Sequence, residues 1–156
     1  MNNNIRFSIV IPVYNREILV QETINSVLAQ DFPAGRTEII VVDDGSTDRT
    51  REVLTSYGSR IKMLHHSNQG AEATKHYGAS VARGEYIVLL DSDDLLFPWA
   101  LSLYDHIIRS LDNPSLVISQ VVNFSDGEPV LKLTPENDLI EAYKYPDYLA
   151  REITVG

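Results

Sequence analysis

Acidic residues gather at two places in this 156-residue chain, Asp43-Asp44-Gly45-Ser46 and Asp91-Ser92-Asp93-Asp94, and a smaller polar pair, Tyr14-Asn15, precedes them. Two carboxylates about 4 Å apart repel by about 4 kcal/mol at an effective dielectric of about 20. Groups so crowded must diverge, share a proton or hold a cation. Oxygen donors in a chain without cysteine suit Mg2+ or Mn2+ better than zinc. A cation held that way completes its shell with phosphate oxygens, which lets an acidic protein bind a diphosphate.

Each cluster alone has a simpler explanation. Asp-Gly or Asp-Asp at the end of a strand is commonly a turn or a helix cap, and a D-x-D triplet arises by chance in acidic chains. Pro12 can simply terminate a strand edge, and Tyr14 can belong to the core. His65 and His66 have no partner at metal-ligand spacing and read as solvated or hydrogen-bonded side chains. Trp99 and the stripe Leu101, Tyr104, Ile108 read as packing, and Lys144 and Arg151 as solvated.

What changes the weighing is the elements that must carry these clusters. Phe7-Ser8-Ile9-Val10-Ile11-Pro12-Val13 is a β-branched apolar run ending at Tyr14-Asn15-Arg16. Val20, Ile24, Val27 and Leu28 follow at helical spacing, stopped by Phe32-Pro33-Ala34-Gly35. A second strand, Glu38-Ile39-Ile40-Val41-Val42, runs into Asp43-Asp44, and Ser46, Thr47 or Asp48 can cap the helix of Val53, Leu54 and Tyr57. Ile61 to His66 reads as a third strand, followed by a Ser67-Asn68-Gln69-Gly70 turn and an Ala-rich helix to about Ala82. Glu85 to Leu90 reads as a fourth strand ending at Asp91, and Pro98 suits the first turn of a fourth helix carrying Leu101, Tyr104, Ile107, Ile108 and Leu111.

Unbroken apolar strands separated by helices of 10–15 residues indicate βαβ units and a parallel sheet covered on both faces. The expected class is α/β, a Rossmann-like three-layer sandwich with a mostly parallel central sheet. The carboxyl ends of parallel strands share one edge, so all three polar clusters fall on the rim where open α/β sheets bind ligands. Beyond Pro114 the pattern changes: Leu116 to Val122 reads as a fifth strand, Val130-Leu131-Lys132-Leu133 as its hairpin partner, and 134–156 has little periodicity.

Composition narrows the partners. Thirteen Lys+Arg against 22 Asp+Glu give a formal charge of −9, so no basic face is available to a nucleic-acid duplex. With 44% hydrophobic and 22% charged residues the chain has the profile of a globular domain able to bury a core. No apolar run approaches the roughly 18 residues a bilayer span requires, and Met1-Asn2-Asn3-Asn4 does not read as a signal peptide; the expected location is cytoplasmic.

These segments in this order resemble the family 2 glycosyltransferases of the GT-A fold. The likeness is carried by Ser8 to Asn15, Ile40 to Asp48, Asn68-Gln69-Gly70 through Gly78, and Ala82-Arg83-Gly84-Glu85-Tyr86-Ile87 running into Leu90-Asp91-Ser92-Asp93-Asp94, over roughly residues 6–112. The resemblance implies transfer of a sugar from a nucleotide-diphosphate donor, of UDP type, to a carbohydrate or lipid-linked acceptor, with inversion and with Mg2+ or Mn2+. It places Tyr14 and Asp44 beside the base, Pro12, Asn15 and Asp43 as neighbouring contacts, Asp91 and Asp93 at ribose and metal, and Ser92 and Asp94 as further donor contacts. Where the family has Arg-Asn this chain has Lys75-His76; a lysine neutralises phosphate as a point charge without the planar two-pronged contact. By the same comparison the general base is expected beyond residue 156. Residues 1–112 then read as the nucleotide-sugar-binding half and 113–156 as the start of a truncated acceptor side, whose missing part can carry peripheral membrane association. Two other readings stay open: a non-catalytic nucleotide- or sugar-binding fragment, and a phospho-acceptor receiver-like module. A receiver places paired acids after its first strand, whereas here the pairs follow strands two and four.

Overall fold

Strands made mostly of apolar side chains have little to give to water: the two central strands of this sheet are buried between layers of helix, while Ile87 and Leu89 at one edge are exposed. The computed structural model describes residues 4–118 and 141–143. β1 (Phe7–Val13) is buried throughout, and β2 (Thr37–Asp43) is buried over its last five residues. β1 pairs in parallel with β2, from Phe7↔Thr37 to Val13↔Asp43, and on its other side with β4 (Tyr86–Leu89), from Phe7↔Tyr86 to Val10↔Leu89. β3 (Lys62–His65) pairs in parallel with β2, giving the order β3-β2-β1-β4. The expected parallel α/β architecture is therefore present, with strand ends shifted by a residue from those read off the sequence.

That order fixes the layers. The connections through α1 (Leu19–Leu28) and α2 (Thr50–Ser56) step outward from β1 to β2 to β3, and α3 (Ala71–Ser80) carries the chain back to β4 on the far side of β1. Right-handed crossovers then put α1 and α2 on one face and α3 on the other. Side-chain contacts agree. Val10, Ile40 and Val42 pack with Leu64, Val81 and Ala82, and Gly78 of α3 lies so close to Val10 and Val42 that an added Cβ would collide with both. Phe7, of opposite parity to Val10, meets the Phe32 ring at 5.2 Å. Burying a side chain such as Ile9, Ile11, Ile24 or Ile40 completely stabilises by about 1.5–3 kcal/mol each.

The order in which strands are added reverses between β1 and β4, the switch point at which an open α/β sheet leaves a crevice outside its strand ends. Pro12 fits this position. Val10 accepts from Leu90 N at 3.1 Å, so its backbone faces β4; Pro12, two residues on, would aim its missing N–H the same way, past the last paired residue of β4. After the Asp91 loop the chain is fastened to the end of α1. Leu96 N donates to Ser26 Oγ at 3.1 Å, Gln30 Nε2 to the Phe97 carbonyl at 2.8 Å, and Leu101 N to Gln30 Oε1 at 3.0 Å.

The chain divides into two compact units, 1–101 and 102–156. The second contains most of α4 (Ala100–Ser110), with an Arg109–Asp105 ion pair at 2.8 Å, and an antiparallel pair, β5 (Leu116–Ile118) with β6 (Glu141–Tyr143). Leu111, expected on the apolar face of the fourth helix, lies one residue past its end and is exposed. β6 sits in a stretch where the sequence shows little periodicity, because three residues are too few to display an alternation. The expected hairpin partner at 130–133, and residues 119–122 of the expected fifth strand, lie outside the described residues.

Candidate functional site

The loop after β2 is built from its own aspartates. Asp43 is fully buried; its Oδ1 accepts from Ser46 N at 2.9 Å, and its Oδ2 faces Arg51 Nε at 3.4 Å and His65 Nδ1 at 3.2 Å. Burial opposes the charge on Asp43, but the Ser46 hydrogen bonds, Arg51 and His65 together outweigh it and hold the carboxyl below its ordinary value. Asp44, 4% exposed, reaches forward to the start of α3: Oδ1 accepts from Gln69 N at 2.7 Å and Oδ2 from Gly70 N at 3.0 Å. A carboxylate there satisfies N–H groups that the helix cannot and sits at the positive end of its dipole. Gly45 makes the turn between them with φ +78, and a Cβ would stand 2.9 Å from Asn68 N, so only glycine fits.

The loop after β1 is tied to the same edge. Asn15 adopts φ 51, a left-handed conformation that asparagine tolerates. Its Oδ1 accepts from Thr47 N at 2.8 Å, and its own N–H donates to Ser46 Oγ at 3.0 Å. Arg49 occupies the N-cap position of α2, where the sequence suggested Ser46, Thr47 or Asp48; Asp48, one residue earlier, accepts from Thr50 N through Oδ1 at 2.9 Å. The Tyr14 ring is exposed on this rim, and Pro12 is buried in the sheet below it.

The loop after β4 is different in kind. Asp91 and Asp93 are about half exposed, Asp94 is exposed, and Ser92 between them is buried. Asp94 N donates to the Asp91 carbonyl at 3.1 Å, which curls the four residues into a turn. Lys75 Nζ, from α3, lies 3.0 Å from Asp91 Oδ1, and Arg16 Nε, from the loop after β1, lies 3.9 Å from Asp93 Oδ2. Desolvation, and then the negative charges of Asp93 and Asp91, push the Asp94 carboxyl above its ordinary value, with Lys75 pulling the other way. Charge in this loop is crowded and incompletely compensated.

The expected site residues are thus brought to one sheet edge. Asp44 is joined through Gly70 and α3 to Lys75 and Asp91, and Asn15-Arg16 joins the Ser46 loop to Asp93. Among the described residues no three His, Cys, Asp or Glu side chains converge as a ready-made metal cage. The donor set still fits Mg2+ or Mn2+. Mg2+ is commonly held by one or two carboxylates together with substrate phosphates and water, and an aspartate disfavoured in its charged form by two acidic neighbours is what a cation would relieve.

Sequence reasoning missed three contributors. Arg16 carried no motif, and its role follows from β4 lying next to β1. His65 and His66, read from the sequence as solvated or hydrogen-bonded, brace the two buried aspartates: His66 Nδ1 lies 3.3 Å from Asp44 Oδ1 and 2.7 Å from the Ser67 carbonyl. The pairing of Asp43 with His65 across β2 and β3 could have been found from strand register alone. An open hollow of about 440 Å³ beside α3 is lined by His66, Gln69, Ala73, His76, Tyr77 and Ser80, and none of the rim aspartates lines it.

Comparison with known proteins places this geometry. Glycosyltransferase GlyG of Streptococcus pneumoniae is 32% identical over 151 residues, covering 93% of this chain and 49% of that protein. The crystal structure of Staphylococcus aureus TarS 1-349 in complex with UDP-GlcNAc superimposes with a TM-score of 0.69 at 29% identity, over 82% of this chain and 37% of TarS 1-349. The mannosyltransferase PcManGT of Pyrobaculum calidifontis, in complex with GDP-Man and Mn2+, gives 0.61 at 25% identity, over 76% of this chain and 36% of its own. The chain therefore spans about half the length, or less, of the relatives it matches. The model of glycosyl transferase family 2 matches residues 8–153, nearly the whole sequence; this chain belongs to glycosyl transferase family 2.

Proposed function

We propose that the chain is the donor-binding part of an inverting transferase that uses a nucleotide-diphosphate sugar, of UDP type, with Mg2+ or Mn2+. The observation that carries this reading is the Asp91-Ser92-Asp93-Asp94 turn. Its carboxylates stand at the switch point of the sheet, Asp94 is raised by desolvation and then by Asp93 and Asp91, and among the described residues Lys75 and a more distant Arg16 are the basic groups paired with them. The neighbours that hold UDP-GlcNAc and GDP-Man with Mn2+ support the donor class.

In this reading Tyr14 offers an exposed face on which a base stacks. Asp44 accepts an imide N–H while remaining the anchor of α3, since each carboxylate oxygen has a second lone pair beyond the one given to Gln69 or Gly70. Asp91 approaches the ribose and shares the cation with Asp93, Asp94 borders the donor, and Lys75 neutralises phosphate. Pro12, Asn15, Asp43 and Ser92 shape the loops that hold these groups. A bound cation would stabilise the negative charge that develops on the departing diphosphate. The general base that activates the acceptor hydroxyl is assigned outside these donor-side residues.

Calorimetry with UDP, with and without Mn2+, tests the reading. Binding that requires the metal is the expected result, and absence of binding in both conditions overturns it. Metal-dependent binding without transfer to any acceptor supplied would instead favour a non-catalytic binding module.

A further inference from the structure

Each half of the acidic turn carries a basic side chain from a different element, and the two basic groups are held very differently. Lys75 is three-quarters buried and lies 3.0 Å from Asp91. Arg16 has a fixed backbone, its N–H donating to Thr50 Oγ1 at 2.9 Å and its carbonyl accepting from Val20 N at 3.1 Å. Its guanidinium is about half exposed, with Nε 3.9 Å from Asp93 and one Nη1 hydrogen bond, 3.3 Å, to the carbonyl of the neighbouring Asn15. An exposed ion pair at that separation is among the weakest, and a cation coordinating Asp93 directly would displace it. The guanidinium so released stands beside the place where the same cation would hold a diphosphate. Its planar fork matches phosphate oxygens as Lys75 cannot.

We propose that Arg16 is a diphosphate-binding residue, held on Asp93 while the donor is absent and passed to the diphosphate when a divalent cation takes that carboxylate. The inference rests on the donor-site reading above. Charge balance supports it. Asp91, Asp93 and Asp94, with Glu72 3.8 Å from Lys75, outnumber Arg16 and Lys75, so a diphosphate alone adds negative charge to an already acidic site and a dication offsets it. Bound together they nearly cancel. Metal and diphosphate therefore bind cooperatively, each raising the affinity of the other by the same factor.

The test is calorimetry on the whole chain as wild type, Arg16→Gln and Arg16→Lys, with three probes: Mn2+ alone, UDP in saturating Mn2+, and uridine read by displacement of UDP. Arg16→Gln should weaken UDP by about tenfold or more, the loss expected for a charge-assisted contact. It should bind Mn2+ alone a few-fold more tightly and leave uridine unchanged; Arg16→Lys should fall between it and the wild type. Unchanged UDP affinity in Arg16→Gln, beside a wild type that binds, overturns the proposal and leaves Arg16 a counter-ion only. Equal losses for UDP and uridine overturn it in favour of a structural role. Should the glutamine variant melt early, Arg16→Lys carries the same comparison, and a loss of UDP without loss of uridine is required of it. A wild type that binds no UDP with Mn2+ overturns the donor-site reading itself, a failure distinct from the other two.

Discussion

The two acidic loops on the rim are nearly identical in composition and opposite in state. In Asp43-Asp44-Gly45-Ser46 both carboxylates are buried and filled, one by Ser46, Arg51 and His65, the other by Gln69 and Gly70. In Asp91-Ser92-Asp93-Asp94 the carboxylates face solvent and one another. The difference comes from neighbours. β2 is flanked on both sides, so its loop is surrounded by neighbours, and its carboxylates find donors in Ser46 of the loop, Arg51 of α2, His65 of β3 and Gln69 and Gly70 at the start of α3. β4 pairs only with β1 among the described strands, so the loop after it is left with one lysine and one loosely held arginine. An aspartate whose oxygens are engaged within the fold serves first as scaffold, and Asp44 keeps only its second lone pairs for a base; one kept unsatisfied near solvent is wholly available to a ligand.

Three substitutions sharpen that contrast. Asp93→Ala should have the largest effect: UDP binding in Mn2+ should fall by about a hundredfold or more, the scale of losing a direct charged contact in a desolvated site. Its thermal midpoint should be nearly unchanged, as for other surface substitutions. A large drop in that midpoint would show that the β4 loop is scaffold after all. Asp43→Asn should do the reverse, costing stability of about 2 kcal/mol through lost charge-assisted hydrogen bonds. Because folding depresses the Asp43 carboxyl, its contribution is present above the unfolded carboxylate value of about 3.9 and lost as pH falls through the lower folded value. Wild type and Asp43→Asn should therefore differ in denaturant unfolding at neutral pH and converge in strong acid. Asp94→Asn should have the smallest effect and the opposite sign. Its carboxyl is raised by folding, so the stability it contributes is present below the unfolded value and lost as pH rises through the folded one. The variant should be slightly more stable than wild type at neutral pH, by less than about 0.5 kcal/mol, with the gain vanishing in acid. A variant less stable at neutral pH would mean that Asp94 is compensated in the way Asp43 is.

Much of this was legible in the chain itself. The runs at Phe7–Val13 and at 38–42 could only be buried strands, and the helical spacing of Val20, Ile24 and Val27 could only be an apolar face, because burial of every apolar residue in a short run leaves no alternative. Three polar clusters on strands of one direction had to reach one edge. The family likeness likewise follows from motifs that are local in sequence, as the match over residues 8–153 shows.

What local sequence does not contain is who stands next to whom across the sheet. The order β3-β2-β1-β4 sets Arg16 beside Asp93 and His65 beside Asp43, pairs that only strand order and register bring together. It also divides five similar aspartates into two buried supports and three exposed charges. Solvation and the count of nearby donors make that division, and both are properties of the packed sheet edge rather than of any one residue type.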